Sequence, residues 1–116
     1  MQVNDLSTLQ GYKTLTLNNV NVEITDAYTG DLLSDVMGNA PSDSVLITIQ
    51  AHKNTVAVAS LAGIHAIVIC NGRTAPDDML IAAKEEDISV FATTDSQFTA
   101  SCKVAVLLGK VNDRKN

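Results

Sequence analysis

Residues 45–72, VLITIQAHKNTVAVASLAGIHAIVICNG, decide the fold. They contain two apolar runs, Val45-Leu46-Ile47-Thr48-Ile49 and Ala66-Ile67-Val68-Ile69-Cys70, separated by a segment of helical spacing. The second run shows no alternation and is bounded by Gly63 and Asn71-Gly72, the pattern of a strand covered on both faces. Between the runs a helix is expected over residues 55–62. Asn54 would be its N-cap, and Gly63 sits just past its end, where left-handed backbone costs least. Strand, crossover helix and strand make one βαβ unit, so the sheet should be parallel.

The same punctuation continues toward the C-terminus. Thr74-Ala75-Pro76-Asp77 has capping-box spacing with proline in the first turn, so a helix is predicted from there to about residue 86. Ile88-Ser89-Val90-Phe91-Ala92 reads as another strand. Thr94-Asp95-Ser96-Gln97 repeats the capping-box spacing before a last helix that should reach Leu108 and stop at Gly109. Toward the N-terminus, residues 13–17 and 22–25 alternate like short strands about the turn-rich Asn18-Asn19-Val20-Asn21. Val3, Leu6 and Leu9 suggest a short helix, and Leu32, Leu33, Val36 and Met37 mark one over residues 29–39. The fold class expected is a single α/β domain over residues 1–116. It would hold a mostly parallel sheet of four to five strands flanked by helices, with a packed part at about 3–109 and a short polar tail at 110–116.

Composition agrees with that plan and excludes several functions. Hydrophobic residues make up 46% of the chain but aromatics only 3%, so the core must be built from aliphatic side chains, which suits covered parallel strands. The net charge of −5 is the reverse of a phosphate-backbone footprint, and nucleic acid is not an expected partner. The basic pair Arg114-Lys115 reads as a solvated chain end. Cys70 and Cys102 lack CxxC spacing, lie in apolar stretches and read as buried thiols. No basic-then-apolar leader is visible at Met1-Gln2-Val3-Asn4-Asp5, and no apolar stretch approaches the roughly 20 residues that span a bilayer, so a soluble, cytoplasmic protein without membrane contact is expected.

In an open α/β sheet, ligands settle beyond the carboxyl ends of the strands. That rule selects the loops around Tyr28, from Gln50 to Asn54, from Asn71 to Thr74, and from Thr93 to Ser96. Each leads into a helix N-terminus, which favours an anion. The candidate binding residues are Tyr28, Gln50, His52, Asn54, Asn71, Gly72, Arg73, Thr93 and Thr94. Arg73 would be a bidentate phosphate donor, with His52 and Lys53 adding basic character to the rim. Ordinary structural reasons account for the same residues. Asn-Gly is a turn signal after any strand, Thr93 and Thr94 serve as caps, and His52 and Lys53 can be solvated loop. The sequence holds no Walker loop, no GxGxxG after a strand, no GxSxG elbow, no HExxH and no zinc-spaced Cys/His cluster. No catalytic residue, metal or cofactor is therefore assigned.

From Tyr28-Thr29-Gly30-Asp31-Leu32-Leu33-Ser34-Asp35-Val36-Met37-Gly38-Asn39-Ala40, through Ile47-Thr48-Ile49-Gln50-Ala51-His52, Asn54, Val56-Ala57-Val58-Ala59 and Ile67-Val68-Ile69 to Asn71-Gly72-Arg73, the chain resembles the DRTGG domain family. The likeness runs from about Val3 to Gly109. It implies the fold of the N-terminal domain of HPr kinase/phosphorylase and a regulatory, non-catalytic role. Similar domains accompany CBS modules in regulated pyrophosphatases, where they help form dimer contacts near adenine-nucleotide sites. An HPr serine kinase label is not implied, since that chemistry needs a separate domain with a Walker loop. Relatives commonly carry Gly-Gly where this chain has Asp26-Ala27, a change expected to set a repelling carboxylate beside any anion site in the Tyr28 loop.

Three functions follow as expectations. The first is a regulatory or ligand-sensing domain with a nucleotide or phosphorylated small molecule at the rim, acting as a homodimer or on a protein partner. The second is a homodimerisation or interaction module without a ligand, using the helix at 29–39. The third is a small enzyme in which His52 is acid or base and Arg73 holds an anionic substrate.

Overall fold

The computed structural model describes residues 1–111, and the Arg114-Lys115 pair lies outside the described residues. A 3-10 helix, Val3–Thr8, precedes β1 (Lys13–Thr16) and β2 (Asp26–Thr29). Then follow α1 (Leu33–Asn39), β3 (Ser44–Thr48), α2 (Lys53–Ala62), β4 (Ile64–Ile69), α3 (Asp77–Glu85), β5 (Ser89–Ala92) and α4 (Gln97–Leu107). The strands form one five-stranded sheet in the order β1-β5-β4-β3-β2. β2 to β5 are mutually parallel, and β1 runs antiparallel to β5 with Lys13 opposite Ala92.

Alternating side chains give the sheet two apolar faces. Val45, Ile47, Ala66, Val68, Cys70 and Phe91 meet Val3, Leu6 and Ile24 together with Ala100 and Val104 of α4. Leu46, Ile67, Ile69 and Val90 meet Val36 of α1, Val56 and Ala59 of α2, and Met79 and Ala83 of α3. The sheet grows in one direction from β2 to β5, and right-handed crossovers therefore place α1, α2 and α3 on the same face. Among the described residues α4 leads to no further strand, and it covers the other face. The helices that leave the neighbouring strands β4 and β5 thus depart to opposite sides, which opens a crevice at their carboxyl ends.

Several predicted details are corrected. Residues 22–25 are not a strand of the sheet. Ile24 is fully buried as alternation required, but its N–H donates to the Met1 carbonyl at 2.7 Å, and the Val22 carbonyl accepts from Val3 N–H at 2.9 Å. The alternation is real, and the backbone partner is the chain's own start. The strand is instead Asp26–Thr29, so α1 begins only at Leu33. α2 is capped by His52, whose Nδ1 accepts from Asn54 N–H at 3.0 Å, and Asn54 lies inside the helix. Thr74 does not cap α3. Pro76, extended at φ −69° and ψ 155°, is its N-cap, and the helix starts at Asp77. Ser96 rather than Thr94 caps α4, accepting from Thr99 N–H at 3.1 Å. Cys70 is buried as expected, but Cys102 is exposed. His65 lies within β4, its Nε2 2.8 Å from Asp43 Oδ1 at the edge away from His52. Gly63 ends α2 at φ 76°, and a Cβ there would stand 3.1 Å from Ser42 Cβ.

Candidate functional site

Because β3, β4 and β5 are parallel, the loops that follow them share one edge of the sheet. Within that edge the side chains part company. A cavity of about 290 Å³ opens between β1, the ends of β4 and β5, and the approach to α3. Its floor is aliphatic, formed by Leu15, Ala75 and Leu80, which pack on the core beneath α3. Lys13, Arg73, Thr74 and Thr94 form its wall and mouth, and Gly11, Gly72, Ala92 and Thr93 complete it. No carboxylate lines it. Among the described residues neither Lys13 nor Arg73 has an ion-pair partner. An acidic chain thus presents, above an apolar floor, two cations without an ion-pair partner among the described residues.

Local backbone chemistry fixes this wall. Asn71 and Gly72 both take left-handed φ, 62° and 66°, and Arg73 N–H returns to the Cys70 carbonyl at 3.3 Å. These are the marks of the tight turn that Asn-Gly favours. The turn is laced to the next loop, since Asn71 N–H donates to the Asp95 carbonyl at 2.8 Å and Gly72 N–H to that of Thr93 at 3.0 Å. The N–H groups of the turn are consumed internally, so what the turn itself presents to the cavity is the Arg73 side chain. Thr93 is buried, and its hydroxyl accepts from Asp95 N–H at 3.1 Å. The Asp95 carboxylate is held by Lys103 Nζ at 2.8 Å, which offsets the acid nearest to Thr93 and Thr94. On the other side of that loop the Lys103 ammonium lies 5.8 Å from the centre of the Tyr12 ring. Burial, and secondarily the charge of Asp95, raise the Tyr12 phenol above its ordinary value and push the Cys70 thiol up to about 11.

Of the sequence candidates, the cavity gathers Gly72, Arg73, Thr93 and Thr94. Asn71 shapes the turn beside it. Gln50, His52, Asn54 and Tyr28 are not in its lining. Gln50 reaches the Asp31 carbonyl through Nε2 at 2.9 Å. His52 is engaged as a helix cap, and Asn54 lines a separate depression between α2 and α3 with Asp78, Glu85 and Glu86. Tyr28 lies in β2, three strand spacings or about 14 Å from β5. Its hydroxyl donates to Asp35 Oδ2 at 2.6 Å, a bond that holds the phenol above its usual range.

Asp26 opens β2 opposite Ser44, the first residue of β3, so it stands at the far edge of the sheet, about 10 Å down the strand from Thr29. Its expected repulsion of an anion at the rim does not apply. Nor does α3 offer an empty positive helix end, because Asp77 and Asp78 occupy its first turn. Lys13, Leu15, Ala75 and Leu80 were not singled out from sequence. Lys13 and Leu15 were legible as part of a strand, but not as the strand beside β5.

Comparison with protein-family models and with curated proteins finds no match. Among solved structures, the CBS and DRTGG domains of the regulatory region of Clostridium perfringens pyrophosphatase, complexed with the activator diadenosine tetraphosphate, align with a TM-score of 0.69. The fold is shared. The alignment covers 97% of this chain and 50% of that one, at 16% identity, so the likeness is one of architecture. It agrees with the α/β fold that the DRTGG resemblance implied, and it is to a CBS and DRTGG region rather than to HPr kinase.

Proposed function

We propose that this chain is a non-catalytic, ligand-sensing regulatory domain of DRTGG type, spanning about residues 3–109, and that it binds a nucleotide or another phosphorylated small molecule in the β1–β5–α3 cavity. The observation that carries this reading is the pair Lys13 and Arg73, unpaired among the described residues, over an apolar floor in a chain of net charge −5. A fold shared with a regulatory region solved with a bound nucleotide supports it. The His52 enzyme loses its geometry. Nδ1 is committed to Asn54 N–H, and His52 does not line the cavity that Arg73 borders.

Both cations are exposed, which bounds the affinity. Two charge-assisted hydrogen bonds at about 1.5–3 kcal/mol each give a dissociation constant between roughly 40 μM and roughly 6 mM. A thermal-shift panel of nucleotides and sugar phosphates tests the reading. Stabilisation should rise with concentration and fall about tenfold in potency in Arg73→Gln and in Lys13→Gln. A flat response to every phosphorylated compound removes the proposal.

One observation favours a second reading. Leu32, the N-cap of α1, and Met37 within the helix remain 64% and 41% exposed, apolar surface that a self-association contact on this helix would cover. Light scattering decides it, with a dimer mass at tens of μM expected and a strict monomer against it.

A further inference from the structure

We infer that the cavity is built for a nucleoside monophosphate, its phosphate set between Lys13 and Arg73 and its base laid on Leu15, Ala75 and Leu80. This rests on the ligand-sensing reading above and narrows it by charge, size and polarity.

The charge argument comes first. The lining carries two cations and no acid. A phosphomonoester bears about −1.5 to −2 near neutral pH, which those two side chains balance. A triphosphate or a dinucleoside polyphosphate would bring additional negative charge that the lining does not answer, into a chain already at −5. The glycine turn offers no reserve of backbone donors, since the Asn71 and Gly72 N–H groups are bonded to Asp95 and Thr93.

Size points the same way. At about 290 Å³ the cavity lies at the lower end of small-molecule sites, where about 300–1,000 Å³ is usual. One nucleoside and one phosphate suit that space, and the second half of a dinucleoside polyphosphate would lie outside it without contact to the lining. Polarity settles what accompanies the phosphate. A free phosphate or a short sugar phosphate has no use for three aliphatic side chains at the bottom of a charged site, while the π-face of a base covers them and removes them from water. The hydroxyls of Thr74 and Thr94, both exposed and without side-chain hydrogen bonds among the described residues, stand at the mouth where a ribose would lie.

Calorimetric titration of the full chain with AMP, UMP, ribose 5-phosphate, adenosine, inorganic phosphate and ATP tests this. The better of the two monophosphates should bind at least tenfold more tightly than ribose 5-phosphate, adenosine and inorganic phosphate, and at least as tightly as ATP. Arg73→Gln should bring AMP to the level of adenosine and leave adenosine unchanged, with the melting temperature confirming an intact fold. If ribose 5-phosphate comes within tenfold of the monophosphates, the base contact is wrong. If ATP binds more tightly, the charge match is wrong. In either case the ligand-sensing reading stands. If no phosphorylated probe binds, both fall together.

Discussion

Glycine positions show at single-residue scale what the turns require. Gly72→Ala would force a side chain into φ 66°, but its Cβ would meet only Thr94 Cγ2 at an ordinary 3.8 Å, so the cost is the left-handed backbone alone, about 1–2 kcal/mol. Gly63→Ala adds a contact of 3.1 Å with Ser42 Cβ and should cost more. Urea melts of both variants check the order. The two thiols should also separate. Cys102 is exposed and should react promptly with a disulfide reagent, while the buried Cys70, its thiolate disfavoured, should react only on unfolding. Both cysteines have apolar neighbours along the chain, which does not tell them apart. Whether an aliphatic stretch of α4 turns a given residue inward depends on the angle at which the helix crosses the sheet. Asn71-Gly72 was legible as a turn because its chemistry is local, whereas His52 as a cap was not, since Asn54 is the stronger N-cap type.

At the scale of elements, α4 offers a direct test of its start. Ser96→Ala removes the acceptor for Thr99 N–H and should cost about 1 kcal/mol, while the exposed Thr94→Ala should change stability by less than about 0.5 kcal/mol. Equal losses would place the cap where the sequence spacing had put it. The capping-box spacing misled because Thr93, Thr94 and Asp95 belong to the loop tied to Asn71 and Gly72, which holds them out of the helix. Lys103→Met should destabilise the packing of α4 on the loop that leads into it, because Asp95, with only 19% of its side chain exposed, would lose its counter-charge. From β3 onward the elements were readable, since apolar runs, caps and glycines repeat at short intervals. The first forty residues were not. There the strand that joins the sheet, Asp26-Ala27-Tyr28-Thr29, has one polar and one charged residue and half-buried positions, while the better alternation at Val22 and Ile24 pairs with the N-terminus.

For the molecule as a whole, the buried thiol and phenol give stability an alkaline dependence. The Cys70 thiol titrates at about 11 in the fold and near 9 when unfolded, so between those values the unfolded chain has released a proton that the folded one keeps. Stability is therefore full below about pH 9 and falls as pH rises through about 11, with Tyr12 acting in the same direction. The slope of urea midpoint against pH should flatten in Cys70→Ala, even though that variant begins less stable. Three covered layers and parallel order followed from periodicity and composition. The antiparallel return of β1 to the side of β5 did not, because strand order depends on contacts distant in sequence, and with it went the Lys13–Leu15 wall of the cavity.

The question that remains decisive is where a ligand lands on the rim. Amide chemical shifts of the labelled chain, followed during titration with AMP, answer it. Shifts concentrated at residues 11–15, 72–75 and 93–94 are expected. Shifts centred on residues 50–54 and Tyr28, or none at millimolar AMP, would contradict the assignment of the site to Lys13 and Arg73.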